Sequence, residues 1–263
     1  MKLSAEQIQQ NWIIFEEIIK THISEPRCSK LLEFYSKYSE RIILMPASHK
    51  KEYHNAFPGG YVEHVLRVVD CALALNEVWV QFGVDSSTYT KEELVFAALN
   101  HDLGKMGDEQ NESYLHQTDQ WRKEKLGEDY KFNDKLEYMS VPDRGLHLLI
   151  SHGIEFSKNE MLAIKLHDGL YDEANKPYLT GWLPEQKPRT SLIYILHQTD
   201  LMASRIEFER EWFPKFKGNL PTQEKNFILG EKKNETKKVP IKTKALSNIK
   251  SESLKNVMGD FFQ

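Results

Sequence analysis

Apolar residues recur at helical spacing along most of this chain. Between residues 5 and 22, Ile8, Trp12, Phe15, Ile18 and Ile19 share one side of a 3.6-residue period and predict an amphipathic helix. A second helix is predicted over 28–40. The stretch MPASHKKEYHNAFPGG is rich in turn formers and reads as loop. Gly59 and Gly60 then lead into a strong helical pattern over 61–82, with Val62, Val65, Val69, Ala72 and Leu73 on one side. Residues 91–103 form a further helix, which Leu94, Val95, Ala97, Ala98 and Leu99 mark for burial. The polar stretch 107–140 reads as an insertion with broken helix. Helices follow near 143–152 and 157–168, then a loop or short hairpin (GLYDEANKPYLTGWLPEQKP), then a long helix over 190–211. No series of alternating strands appears, so the predicted class is all-α.

Charge divides the chain in two. The 263 residues carry a net charge of −4, but residues 214–263 hold 11 lysines against 5 acidic residues. The body is therefore acidic and the end basic. We read residues 1–213 as one helical core, with the N-terminal helices of 1–44 packing on it. Residues 214–263 read as a flexible lysine-rich tail. The tail ends in SESLKNVMGDFFQ, where Val257, Met258, Phe261 and Phe262 need burial. They either fold back on the domain or dock, through residues 251–263, to a partner such as a sliding clamp or another replication protein. No apolar run is long enough to cross a membrane, and the N-terminus lacks a signal-peptide core, so a cytoplasmic location is expected. Cys28 and Cys71 form no disulfide or zinc pattern.

The chemistry begins at ALNHDLGK. A helix built for burial ends in His101 and Asp102, and burying an ionisable pair costs several kcal/mol unless something compensates. A cation is one solution, since imidazole and carboxylate are common metal ligands. His64 lies beside Val65 on the 61–82 helix. Asp200 shares a helix face with Ile193, Leu196 and Ala203, and His167 closes another apolar stretch. A lone histidine on a helix is usually a hydrogen-bonded structural residue. Three separate helices that each interrupt an apolar stripe favour a metal.

The segments HNAFPGGYVEHVLRVV, ALNHDLGK, AIKLHDGLYDE and LHQTDLMASR together resemble the HD superfamily of metal-dependent phosphohydrolases, over residues 45 to 210. Their phrasing is also similar to HD proteins of tailed phages, for which the location is the host cytoplasm. The resemblance implies an all-α HD-domain bundle and one divalent metal ion held by His64, His101, Asp102 and Asp200. Mn, Fe, Co, Ni, Zn and Mg all suit that ligand set. It implies catalytic roles for Asp102, Lys105, Arg144 and His167. His54, Lys105, Arg144, His167 and Tyr171 are the expected substrate-binding residues. Relatives with two metals carry a further histidine where this chain has Val141, and His116, His147 and His152 lie in unmatched contexts, so one metal is expected.

The implied activity is hydrolysis of a phosphoester or phosphoanhydride of a nucleotide. An acidic body repels long polyanions, which favours a mononucleotide over nucleic acid. The alternatives are an HD-type 3′–5′ exonuclease or phosphodiesterase acting on nucleic acid, or a non-catalytic nucleotide-binding module. Residues 169–187 are expected to cover the site, with Tyr171, Tyr178 and Trp182 as stacking surfaces.

Overall fold

The computed structural model describes residues 3–51 and 53–211. The lysine-rich tail and the expected docking peptide at 251–263 lie outside the described residues. Among those described, ten α-helices and one two-stranded hairpin make the chain all-α. The helices are α1 (Ala5–His22), α2 (Arg27–Lys37), α3 (Ser39–Leu44), α4 (Gly60–Gln81), α5 (Lys91–Asn100), α6 (Gln120–Lys125), α7 (Val141–Ser151), α8 (Lys158–Leu166), α9 (Lys176–Leu179) and α10 (Leu192–Glu211). None of them is long and apolar enough to cross a membrane.

The architecture centres on α5. Every residue from Leu94 to Asn100 is buried, because α1, α4, α8 and α10 all contact this helix. A helix enclosed on all sides loses the usual polar stripe, which is why the sequence there is apolar nearly all round. Each large core side chain, such as Phe96 or Leu99, contributes about 1.5–3 kcal/mol by leaving water. The one amide in the run is satisfied. The Tyr35 hydroxyl donates to Asn100 Oδ1 at 2.8 Å, and Asn100 Nδ2 donates to the Phe96 carbonyl at 2.7 Å.

Local signals set the helix ends. Ser4, Thr90 and Ser157 each form a capping box with the Gln or Glu three residues on, which opens α1, α5 and α8. Gly59 adopts a left-handed conformation at φ 80°, which turns the loop sharply into α4.

The structure departs from the sequence pattern in four places. The helix expected over 28–40 is two, because the chain turns at Tyr38 between α2 and α3. The helix expected over 91–103 ends at Asn100, and a 3-10 turn over Leu103–Met106 follows. The 107–140 insertion holds, besides α6, an antiparallel hairpin of β1 (Tyr114–His116) and β2 (Tyr130–Phe132), with Tyr114 opposite Phe132. The stretch after α8 forms no hairpin; it runs as short 3-10 turns and α9.

Candidate metal centre

The buried helix α5 and the half-buried α8 end side by side, with the His101 and His167 rings 4.9 Å apart. His101 follows α5 and His167 follows α8, each still in helical conformation. Each donates its Nδ1–H to the carbonyl three residues earlier, His101 to Ala98 and His167 to Ile164, both at 2.8 Å. This bond satisfies one free carbonyl of the helix end and fixes the tautomer. Nε2 of each ring is left facing the interior, 3.5 Å from an Asp102 carboxylate oxygen. The C-terminal ends of both helices add partial negative charge there, which favours a cation.

α4 supplies His64 and α10 supplies Asp200. His64 Nε2 lies 3.2 Å from Asp200 Oδ1, 3.6 Å from Asp102 Oδ2 and 3.4 Å from His101 Nε2. His101 Nε2 lies 3.5 Å from Asp102 Oδ2 and 3.8 Å from Asp200 Oδ1. An ion about 2.1 Å from each donor separates neighbouring donors by about 3.0 Å in an octahedron and about 3.4 Å in a tetrahedron. His64, His101 and Asp200 form a trio close enough together to hold a metal ion, with Asp102 3.5–3.6 Å from both histidines. The neighbouring trios His54–His64–Asp102, His101–Asp102–His167 and His167–Asp168–Asp200 share members with it and form one continuous donor set.

A supporting layer orients the donors. Glu207, two turns beyond Asp200 on α10, accepts from His64 Nδ1 at 3.1 Å. Arg67 binds Glu207 through Nε at 3.0 Å and Glu63 through Nη2 at 3.0 Å. His197 Nδ1 donates to the His167 carbonyl at 2.7 Å. Lys105 Nζ donates to Asp102 Oδ2 at 2.5 Å from the 3-10 turn. That turn lies against α7 because residue 104 is glycine: a Cβ there would come within 2.0 Å of the Val141 carbonyl oxygen.

Protonation follows from this crowding. Burial opposes a proton on His64, but the carboxylates of Glu207 and Asp200 outweigh it and raise its pKa to about 10. His167 is raised to about 9, again against burial, chiefly by its hydrogen bond to Asp102. Burial pushes the carboxyls of Asp102 and Asp200 upward, yet Lys105 and the histidines hold both well below the usual range. Burial drives His54 down to about 3, and the neighbouring His64 adds to this; the His54 Nε2 is buried with no hydrogen-bond partner among the described residues, and the His54 ring lies 4.6 Å from that of His64.

A cavity of about 720 Å³ opens over the cluster, reached by His54, Asp102, Lys105, His167, Asp200 and Tyr171. Its aromatic walls include His49, Tyr53, Tyr114 and Phe208. Arg144 does not reach this cavity. Its guanidinium donates to the Gly104 carbonyl at 3.3 Å and the Glu137 carbonyl at 3.0 Å, and so props the turn that carries Lys105. Of the expected covering aromatics only Tyr171 lines the cavity; Trp182 is 94% exposed and, like Tyr178, stands away from it. Val141, which has no donor atom, lines the cavity beside Lys105. His116 packs on Tyr130 at a tilt, His147 lines a separate cavity, and His152 packs on Phe34 and Tyr38.

The sequence reading missed Glu207, Arg67, Asp168, Tyr114 and His197. Glu207 left one signal, its seven-residue spacing from Asp200 on the same face of α10. No family model, curated protein or solved structure matches the chain.

Proposed function

We propose that this chain is a metal-dependent phosphohydrolase of the HD type, which cleaves a phosphoester or phosphoanhydride bond of a nucleotide. The observation that carries the reading is the convergence of His64, His101 and Asp200, with Asp102 3.5–3.6 Å from both histidines, under an open cavity with Lys105 beside them. The likeness of the four motif segments to the HD superfamily supports it. A divalent metal ion would be held by those four residues.

When bound, the ion supplies Lewis acidity toward a phosphoryl oxygen. Lys105 brings a fixed positive charge, its ammonium held by Asp102 and mostly shielded from water, to meet charge that gathers on the phosphoryl oxygens. His167 faces the cavity and its pKa is raised in the metal-free protein, so it is placed to protonate the leaving oxygen. Asp102 positions both, through Oδ2 to Lys105 and Oδ1 to His167 at 3.5 Å. Tyr114 and Tyr171 give the cavity flat apolar surface on which a base stacks.

The test is metal analysis of the purified chain, followed by assay of bis(p-nitrophenyl) phosphate and nucleoside mono-, di- and triphosphates with Mn, Fe, Co, Ni, Zn and Mg. Bound divalent metal and turnover lost in Asp102→Asn are the expected results. A protein that binds nucleotide but turns over none with any of these metals is a binding module, and the enzyme reading fails.

A further inference from the structure

One face of α10 forms a wall of the cavity over the donor cluster. His197, Asp200, Leu201, Ser204, Arg205 and Phe208 all line it, and they recur every three or four residues, the spacing of one helix face. Asp200 belongs to the donor cluster. The Ser204 hydroxyl donates to the Leu201 carbonyl at 3.1 Å, and Arg205 Nε donates to Glu209 Oε1 at 3.2 Å. His197 stands one turn before Asp200, about 4.5 Å from it along the helix axis. Among the described residues it is engaged at only one of its two ring nitrogens.

The seat of this ring is built. Nδ1 donates to the His167 carbonyl at 2.7 Å, which fixes the neutral ring as the tautomer with a bare lone pair on Nε2. Gly169 makes room for the ring: a Cβ there would stand 2.1 Å from His197 Cε1, and the φ of 58° also favours glycine. Asn175, fully buried, donates from Nδ2 to the Gly169 carbonyl at 3.0 Å and closes the bend against the ring. Nε2 has no hydrogen-bond partner among the described residues, yet it is not sealed from solvent; the ring is half-buried and lines the cavity.

A fixed acceptor beside a phosphate pocket selects what lies next to the phosphate. Phosphoryl oxygens carry lone pairs and negative charge, so a bare Nε2 repels them and calls for a donor. In a nucleotide the donors nearest the phosphate are the sugar hydroxyls; the amino groups of the base lie beyond the sugar. We infer that His197 is a specificity-determining residue, whose Nε2 accepts a hydrogen bond from a ribose hydroxyl of the bound nucleotide. This rests on the phosphohydrolase reading and adds a sugar requirement to it. A nucleotide whose sugar has no free hydroxyl forgoes that bond and is used less well.

The experiment compares 5′-AMP with 2′,3′-dideoxy-5′-AMP, which has the same base and phosphate but no sugar hydroxyl. In the full chain with Mn, kcat/KM for 5′-AMP is expected to exceed that for the dideoxy compound at least tenfold. His197→Asn sets an amide nitrogen near the position of Nδ1, so it keeps the bond to the His167 carbonyl and removes the acceptor; the ratio should then fall to within twofold of one. A ratio near one in the unsubstituted chain overturns the assignment. So does a variant that slows both nucleotides by the same factor, the mark of a structural or water-holding role. If neither compound is turned over with any divalent metal, the phosphohydrolase reading has failed separately, and calorimetry on the same protein decides the assignment. Tenfold tighter binding of 5′-AMP, lost in His197→Asn, supports it; equal or absent binding of the two compounds overturns it.

Discussion

Glu207 grips His64 from 143 residues away, its carboxylate 3.1 Å from Nδ1, while Arg67 holds the same carboxylate from its other side. The bond leaves His64 Nε2 as the atom that faces Asp102 and Asp200. Glu207→Gln keeps the shape but weakens the acceptor, and metal affinity should fall about 10- to 100-fold. Competition with a metal-sensitive dye measures it. Unchanged affinity would show that Glu207 has no hold on the centre.

Asp102 has partners besides the candidate metal donors. It also neutralises Lys105, whose side chain is only 14% exposed, and bonds His167. Asp102→Asn should therefore abolish metal retention and activity, and destabilise the metal-free fold by about 3 kcal/mol through the stranded ammonium. Chemical denaturation after chelation reads the second effect. The double variant Asp102→Asn, Lys105→Met should recover most of the loss; no recovery would mean that the ammonium is not the cause.

Metal and protons compete for the same atoms. His64 and His167 hold protons up to about pH 10 and 9 in the protein alone, well above an ordinary histidine. Their folded pKa values are raised, so their contribution to the metal-free fold is fully present below about pH 6.5 and is lost as pH rises through 9 and 10. Metal uptake must expel the His64 proton, so affinity rises with pH. The gap in Tm between metal-loaded and chelator-treated protein should widen steadily from pH 6 to pH 9. A gap that stays constant over that range would falsify this linkage.

Gly104 permits the closest backbone approach at the site. Gly104→Ala places a methyl group where the Val141 carbonyl oxygen stands, 2.0 Å away. The turn must move off α7, at a cost of about 3 kcal/mol, and Lys105 moves with it. A fall in Tm accompanied by a rise in KM is expected. Full stability and unchanged kinetics would show that the turn has room to adapt.

How much of this was legible in the sequence depends on how each residue reaches the site. His64, His101, Asp102, His167 and Asp200 were legible because each breaks an apolar stripe on a helix, and helix periodicity fixes direction. Glu207 was obscured by its place near a helix end, where an acidic residue is ordinarily solvated. The hairpin was missed because strands of three residues show too little alternation to register. Tyr178 and Trp182 were misplaced because a non-periodic loop gives no rule for where a side chain points. Arg144 was legible as a basic group, but its engagement with two backbone carbonyls is a tertiary fact.

The donors also set an order of events in folding. His64 belongs to an early helix and Asp200 to the last one described, so no complete ion site exists until α10 has docked on α4. Closing so long a loop comes late in a folding reaction. An ion that binds only the finished arrangement adds nothing to the barrier on the way in. It deepens the final state, and so it acts mainly as a brake on unfolding.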